Sequence, residues 1–66
     1  MYVIKCITMG DYLQSMIKNE EGQFDIYWTD KIQDAFEYIN RKEAEQVLAG
    51  LLEMELFEYS IIKLEN

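Results

Sequence analysis

Between Asn40 and Leu52 the sequence carries a helical period, and the rest of the chain must be arranged around it. Ala44, Val47, Leu48, Leu51 and Leu52 stand at the i, i+3, i+4, i+7, i+8 spacing of a single apolar face. Asn40 is a strong N-cap, and Glu43 supplies the return half of a capping box. The pattern predicts one amphipathic helix of about three to four turns, with Arg41, Lys42, Glu45, Gln46 and Glu53 on its polar side. Gly50 lies within it at a cost of roughly 1 kcal/mol relative to alanine. Either it permits a close approach or it weakens the C-terminal turn.

The remaining segments read as strands. Residues 2–8 are dominated by β-branched and aromatic residues. Gly10-Asp11 is a turn signal that closes a hairpin onto Tyr12–Ile17. The polar stretch 18–23 reads as a loop. Phe24, Ile26 and Trp28 then alternate with Asp25, Tyr27 and Thr29, the period-2 pattern of a half-buried strand. Asp30 is placed to cap a short helical turn over Lys31–Asp34, and Phe36–Ile39 reads as a brief edge strand. Phe57–Leu64 is the last strand. With no proline, repeat or linker, residues 1–66 form one domain. The expected fold is α+β, β-β-β-(β)-α-β: a small antiparallel sheet of four to five strands with one amphipathic helix.

One helix covers one face of a sheet, yet several strands offer apolar groups to both faces: Val3 and Ile7 against Ile4 and Cys6, Leu13 and Ile17 against Tyr12 and Met16. A sheet with one wet face shows a cleaner alternation. Hydrophobic residues make up 50% of a chain of only 66 residues, more than so small a body can bury alone. Both observations lead to the expectation of a homo-oligomer, most simply a twofold dimer.

Composition narrows the chemistry. The chain has 13 acidic and 6 basic residues and no histidine, for a formal charge of −7. Direct binding to a nucleic-acid backbone, which needs clustered cations, is not expected. Histidine-based acid–base, metal or Cys–His chemistry has no residue to carry it. The glycines are scattered and form no phosphate-binding loop. Asn19-Glu20-Glu21-Gly22 has the composition of a cation loop without the EF-hand spacing. The single cysteine, Cys6, reads as a small buried hydrophobe in a reducing compartment. No apolar run approaches the ~20 residues of a membrane span. The expectations are therefore a cytoplasmic location, no membrane partner, no cofactor and no metal, and binding in place of catalysis.

Two groups of residues are candidates for that binding. Tyr27, Trp28 and Tyr59 are of the types that dominate binding hot spots and stack on bases, although they also suit a core or a dimer seam. Glu37, Glu43, Glu45, Glu53, Glu55 and Glu58 concentrate acidic charge in the second half of the chain. Of these, Glu43, Glu45 and Glu53 on the helix are the candidates for a row of carboxylates facing a basic partner in imitation of phosphate spacing. The simpler role of the charge is solubility.

The run Trp28-Thr29-Asp30-Lys31-Ile32-Gln33-Asp34-Ala35-Phe36, the segment Asn40-Arg41-Lys42-Glu43-Ala44-Glu45 and the closing Ile61-Ile62-Lys63-Leu64-Glu65 together resemble a loose group of short bacteriophage and prophage accessory proteins. In that group a strand ends in Thr-Asp, a Glu-Ala pair opens the helix, and an Ile-rich strand follows it. The resemblance covers residues 24–65. It implies a phage accessory protein of α+β fold; taken with the small size and the acidic charge, it leads to the expectation of a protein that binds and inhibits a host macromolecule with a basic surface, in an anti-defence or host-takeover role that includes nucleic-acid mimicry. It carries over no catalytic residue. The alternative expectation is an oligomeric protein that sequesters a nucleotide-like signal between subunits through Tyr27, Trp28 or Tyr59.

Overall fold

The structure, a computed structural model, describes residues 1–54 and 57–65. These residues form a four-stranded antiparallel sheet and one α-helix, a small α+β fold. The strands are β1 (Tyr2–Cys6), β2 (Asp11–Lys18), β3 (Phe24–Thr29) and β4 (Tyr59–Lys63), in the spatial order β3-β2-β1-β4. The helix α1 spans Arg41–Met54 and packs chiefly on β1 and β4. Among the described residues, no helix is long and apolar enough to cross a membrane.

Local chemistry sets the boundaries. At the start of α1 the Asn40 side-chain Oδ1 accepts a hydrogen bond from the Glu43 backbone N–H at 2.9 Å, which satisfies one of the helix's orphan donors. Gly10 and Gly22 both have φ of +82°, the left-handed conformation that two tight turns require. Between β2 and β3, Asn19 Oδ1 accepts from the N–H groups of Glu21 and Gln23, each at 3.0 Å. Asn19, within the stretch expected to be a polar loop, is thus spent on fixing that loop's backbone. β1 and β4 are shorter than the expected 2–8 and 57–64, but hydrogen bonds from Ile7 N to Glu58 O (2.7 Å) and from Leu64 N to Met1 O (2.8 Å) continue their pairing at both ends.

Two local expectations are corrected. Asp30 caps nothing: the 3-10 turn Ile32–Asp34 is preceded by Lys31 without a side-chain cap. The nearby polar contact is instead Thr29 Oγ1 accepting from Lys31 N at 3.2 Å. Residues 36–39 form no strand. Tyr38 makes an isolated antiparallel bridge to Tyr2, with N–H···O distances of 2.8 and 2.7 Å, and Phe36 N donates to Leu13 O at 3.0 Å. The reason lies in the sheet. β1 and β2 pair only at Lys5–Tyr12 and Cys6–Asp11, then diverge. Residues 36–38 enter the fork between them, bonding to one strand on each side, which leaves no room for a continuous ladder.

The blurred alternation also has a local cause. β2 opposes Leu13 to Trp28 and Ser15 to Tyr27, so Gln14 is an extra residue without an opposite number. A bulge reverses the side-chain phase along a strand. Leu13 and Met16 therefore share the helix-facing side, although their spacing would set them on opposite sides of a regular strand. The core joins Ile4, Leu13, Ala44 and Leu51, with Tyr2, Met16, Ile26, Trp28, Tyr38, Val47, Leu48, Tyr59 and Ile61 packed around it. Cys6 is fully buried, as expected of a small hydrophobe. On the other face Val3, opposite Ile62, is also fully buried within the single chain. The mixed pattern of β1 and β2 is thus accounted for in part without a second subunit.

Candidate interaction surfaces

The three candidate aromatic residues separate into two places. Trp28 and Tyr59 stack with ring centroids 6.1 Å apart and planes inclined by 10°, within the range of favourable offset pairs. They come from β3 and β4, the two outer strands. Three strand spacings of about 4.8 Å separate those strands in a flat sheet, so the rings reach toward each other across β1 and β2. Register places Cys6 beside Tyr59 and Leu13 beside Trp28, and both smaller residues are buried. The stacked pair closes one end of the core, and each ring presents a face to the other. Tyr27 is opposite Ser15 on the far side of the sheet, 51% exposed. No single aromatic site unites the three.

The three candidate glutamates do not form a row. At 100° per residue, Glu43 and Glu45 lie about 160° apart around α1, with Glu53 about midway between them and some 12–15 Å further along the axis. Glu45 Oε1 accepts from Arg41 Nε at 3.1 Å in an exposed i,i+4 ion pair. Such a pair adds little stability, but it cancels one of the three charges locally. Glu55 lies outside the described residues. Among the described residues, no group of three or more His, Cys, Asp or Glu side chains is placed to hold a metal ion.

A cleft opens at the fork in the sheet. Ser15, Met16 and Ile17 of β2, Phe36 and Tyr38 of the inserted segment, and Val47 of α1 line a cleft of about 360 Å³. Phe36 and Tyr38 pack ring on ring with centroids 4.9 Å apart at 53°. Phe36 and Ile17 are each more than half exposed. Partial burial raises the Tyr38 phenol above its usual pKa by disfavouring the charged phenolate. In the sequence Ser15–Ile17 and Phe36–Tyr38 read as parts of separate strands and Val47 as part of the helix, and nothing there unites them. Their only advance signal was the surplus of apolar residues on both phases of β2 and in 36–39.

Exposed apolar groups also occur elsewhere, including Phe24 on β3 and Leu52 and Met54 at the end of α1. No protein-family model, curated protein or solved structure matches the chain.

Proposed function

We propose that this chain is a non-catalytic interaction protein of the phage accessory type, which binds a host macromolecule in the host cytoplasm and inhibits it in an anti-defence or host-takeover role. The observation that carries the reading is the surface: exposed Phe36, Tyr27 and Phe24 on a body of charge −7. Exposed aromatic and aliphatic groups are the usual makings of a protein contact. The acidic charge favours a partner with a basic surface and speeds encounter with it. Because Glu43, Glu45 and Glu53 spread around the helix, this charge serves steering better than it serves a template of phosphate spacing.

The test is capture from bacterial lysate by the wild-type chain, by Phe36→Lys, and by a Glu43→Lys/Glu45→Lys/Glu53→Lys variant. The reading expects one host protein retained by the wild type, lost with Phe36→Lys, and bound with weaker salt dependence by the triple variant. Identical captured sets for all three chains would refute it. A second reading, sequestration of a nucleotide-like signal, draws support from the cleft, whose volume is within the range of small-molecule sites. It places the ligand against Phe36 and Tyr38, away from the stacked Trp28 and Tyr59. A rise in melting temperature with one member of a nucleotide panel is its expected signature.

A further inference from the structure

The β2–β3 hairpin outruns the rest of the sheet. β1 leaves β2 after Tyr12, whereas β2 and β3 stay paired as far as Lys18–Phe24. Residues 15–18 and 24–27 thus form a two-stranded ribbon, in a molecule whose extents are 38 × 23 × 19 Å. Such ribbons are marginal by themselves. Among the described residues, no strand pairs with Ser15–Lys18 on the side facing β1, and the last bond to that side of β2 is the one from Phe36 N to Leu13 O. A bare strand edge is a template for another strand, and this one borders the apolar cleft.

Charge selects the occupant. The chain as a whole carries −7, yet the ribbon's only charged residues are Lys18 and Asp25, which cancel. A basic peptide gains nothing from a neutral edge, whereas two acidic copies of one chain can meet there without opposing carboxylates. The edge is also compatible with a twofold axis. With Met16 on the axis, Ser15 faces the partner's Ile17 and Lys18 faces the partner's Gln14, so like charges never oppose. Side chains directly opposite across antiparallel strands share a face, which keeps both copies of Met16 on the cleft side.

From these observations we propose that the chain forms a twofold dimer by antiparallel pairing of Ser15–Lys18 of β2 with the same segment of a second copy, with Met16 on the cleft side of the seam and Ile17 on its other side. The inference does not depend on the host-binding role.

Sedimentation equilibrium on the wild type, Ile17→Lys and Leu52→Lys tests it. Leu52 is exposed like Ile17, but lies about 140° around α1 from Val47 and so away from the cleft. The expected result is a reversible dimer for the wild type and Leu52→Lys and a monomer for Ile17→Lys, all with native circular dichroism. Ile17→Ser gives the same readout should lysine disturb the ribbon. A monomeric wild type at several hundred micromolar would overturn the proposal, as would a dimer that survives both Ile17 variants or is lost equally with Leu52→Lys. Amide exchange supplies a measurement without substitution: protection at residues 15–18 must rise with protein concentration, and concentration-independent exchange there counts against the pairing.

Discussion

Gly50 offers a quantitative test of how α1 is built. It lies in the body of the helix, without a positive φ, and a β-carbon placed on it meets no atom within 4 Å. The glycine therefore serves no close approach, and the helix bears its entropic cost uncompensated. Gly50→Ala recovers about 0.8–1.0 kcal/mol from the reduced freedom of the unfolded chain and better helix propensity. For a domain of 60–100 residues, 1 kcal/mol corresponds to about 4–8 °C in melting temperature. Thermal melts followed by far-ultraviolet circular dichroism, with urea titrations at equal slope, measure it directly. Gly10 is the matched control: a β-carbon there also meets no atom within 4 Å, but φ is +82°. Gly10→Ala must therefore lower stability, by about 1–2 kcal/mol for a left-handed alanine. Opposite signs at two equally roomy sites isolate backbone conformation from packing. An unchanged or lowered melting temperature for Gly50→Ala would refute the account of the helix.

Other perturbations have equally definite outcomes. Asn40→Ala removes the acceptor for the Glu43 N–H and should cost about 1 kcal/mol in urea denaturation, with Asn40→Asp retaining most of it. The last turn of α1 holds Glu53 and no basic residue, so Glu53→Lys should stabilise by about 0.3–1 kcal/mol at low salt, a gain that fades in high salt. Leu51→Ala, at a fully buried core position, should cost about 2–5 kcal/mol, much of the total stability of so small a domain. The raised pKa of Tyr38 means that the folded chain holds the phenol proton more tightly than the unfolded chain. Its contribution is complete below the ordinary tyrosine pKa of 10.0 and is lost as pH rises through the folded value. Tyr38→Phe should flatten that alkaline decline in melting temperature, and an identical alkaline profile would refute it.

The elements that were legible in the sequence are those governed by neighbours along the chain. The Ala44-Val47-Leu48-Leu51 stripe, its Asn40 cap and the period-2 run of β3 depend on local spacing, and each has its expected place, whereas Leu52, expected on the same stripe, is 54% exposed. What escaped depends on tertiary pairing. Gln14 is chemically an ordinary strand residue, and only its lack of an opposite number on β3 makes it a bulge. Nothing in Phe36-Glu37-Tyr38-Ile39 distinguishes a strand from a segment bonded once to each side of a fork. The candidate surfaces fared likewise. Residue type raised Tyr27, Trp28 and Tyr59 together as binding candidates, but the sheet order that lets two outer strands share one stacked pair of Trp28 and Tyr59 is invisible to composition. The glutamates were close in sequence, while helical geometry sends them to different sides.

The placement of β1 has a consequence for how the molecule assembles. Its neighbours come from opposite directions along the chain: β2 follows at once, whereas β4 begins at Tyr59 and sets Lys63 against Tyr2. The hairpin of β2 and β3 closes a short loop, whereas the β1–β4 ladder must close almost the whole described chain and bears the larger loss of chain entropy. Until β4 docks, Ile4 has neither Ile61 beside it nor a settled surface for α1. Substitutions in Tyr59–Lys63 should therefore act on the rate of folding more strongly than those in the ribbon, an outcome that φ-values from stopped-flow refolding check.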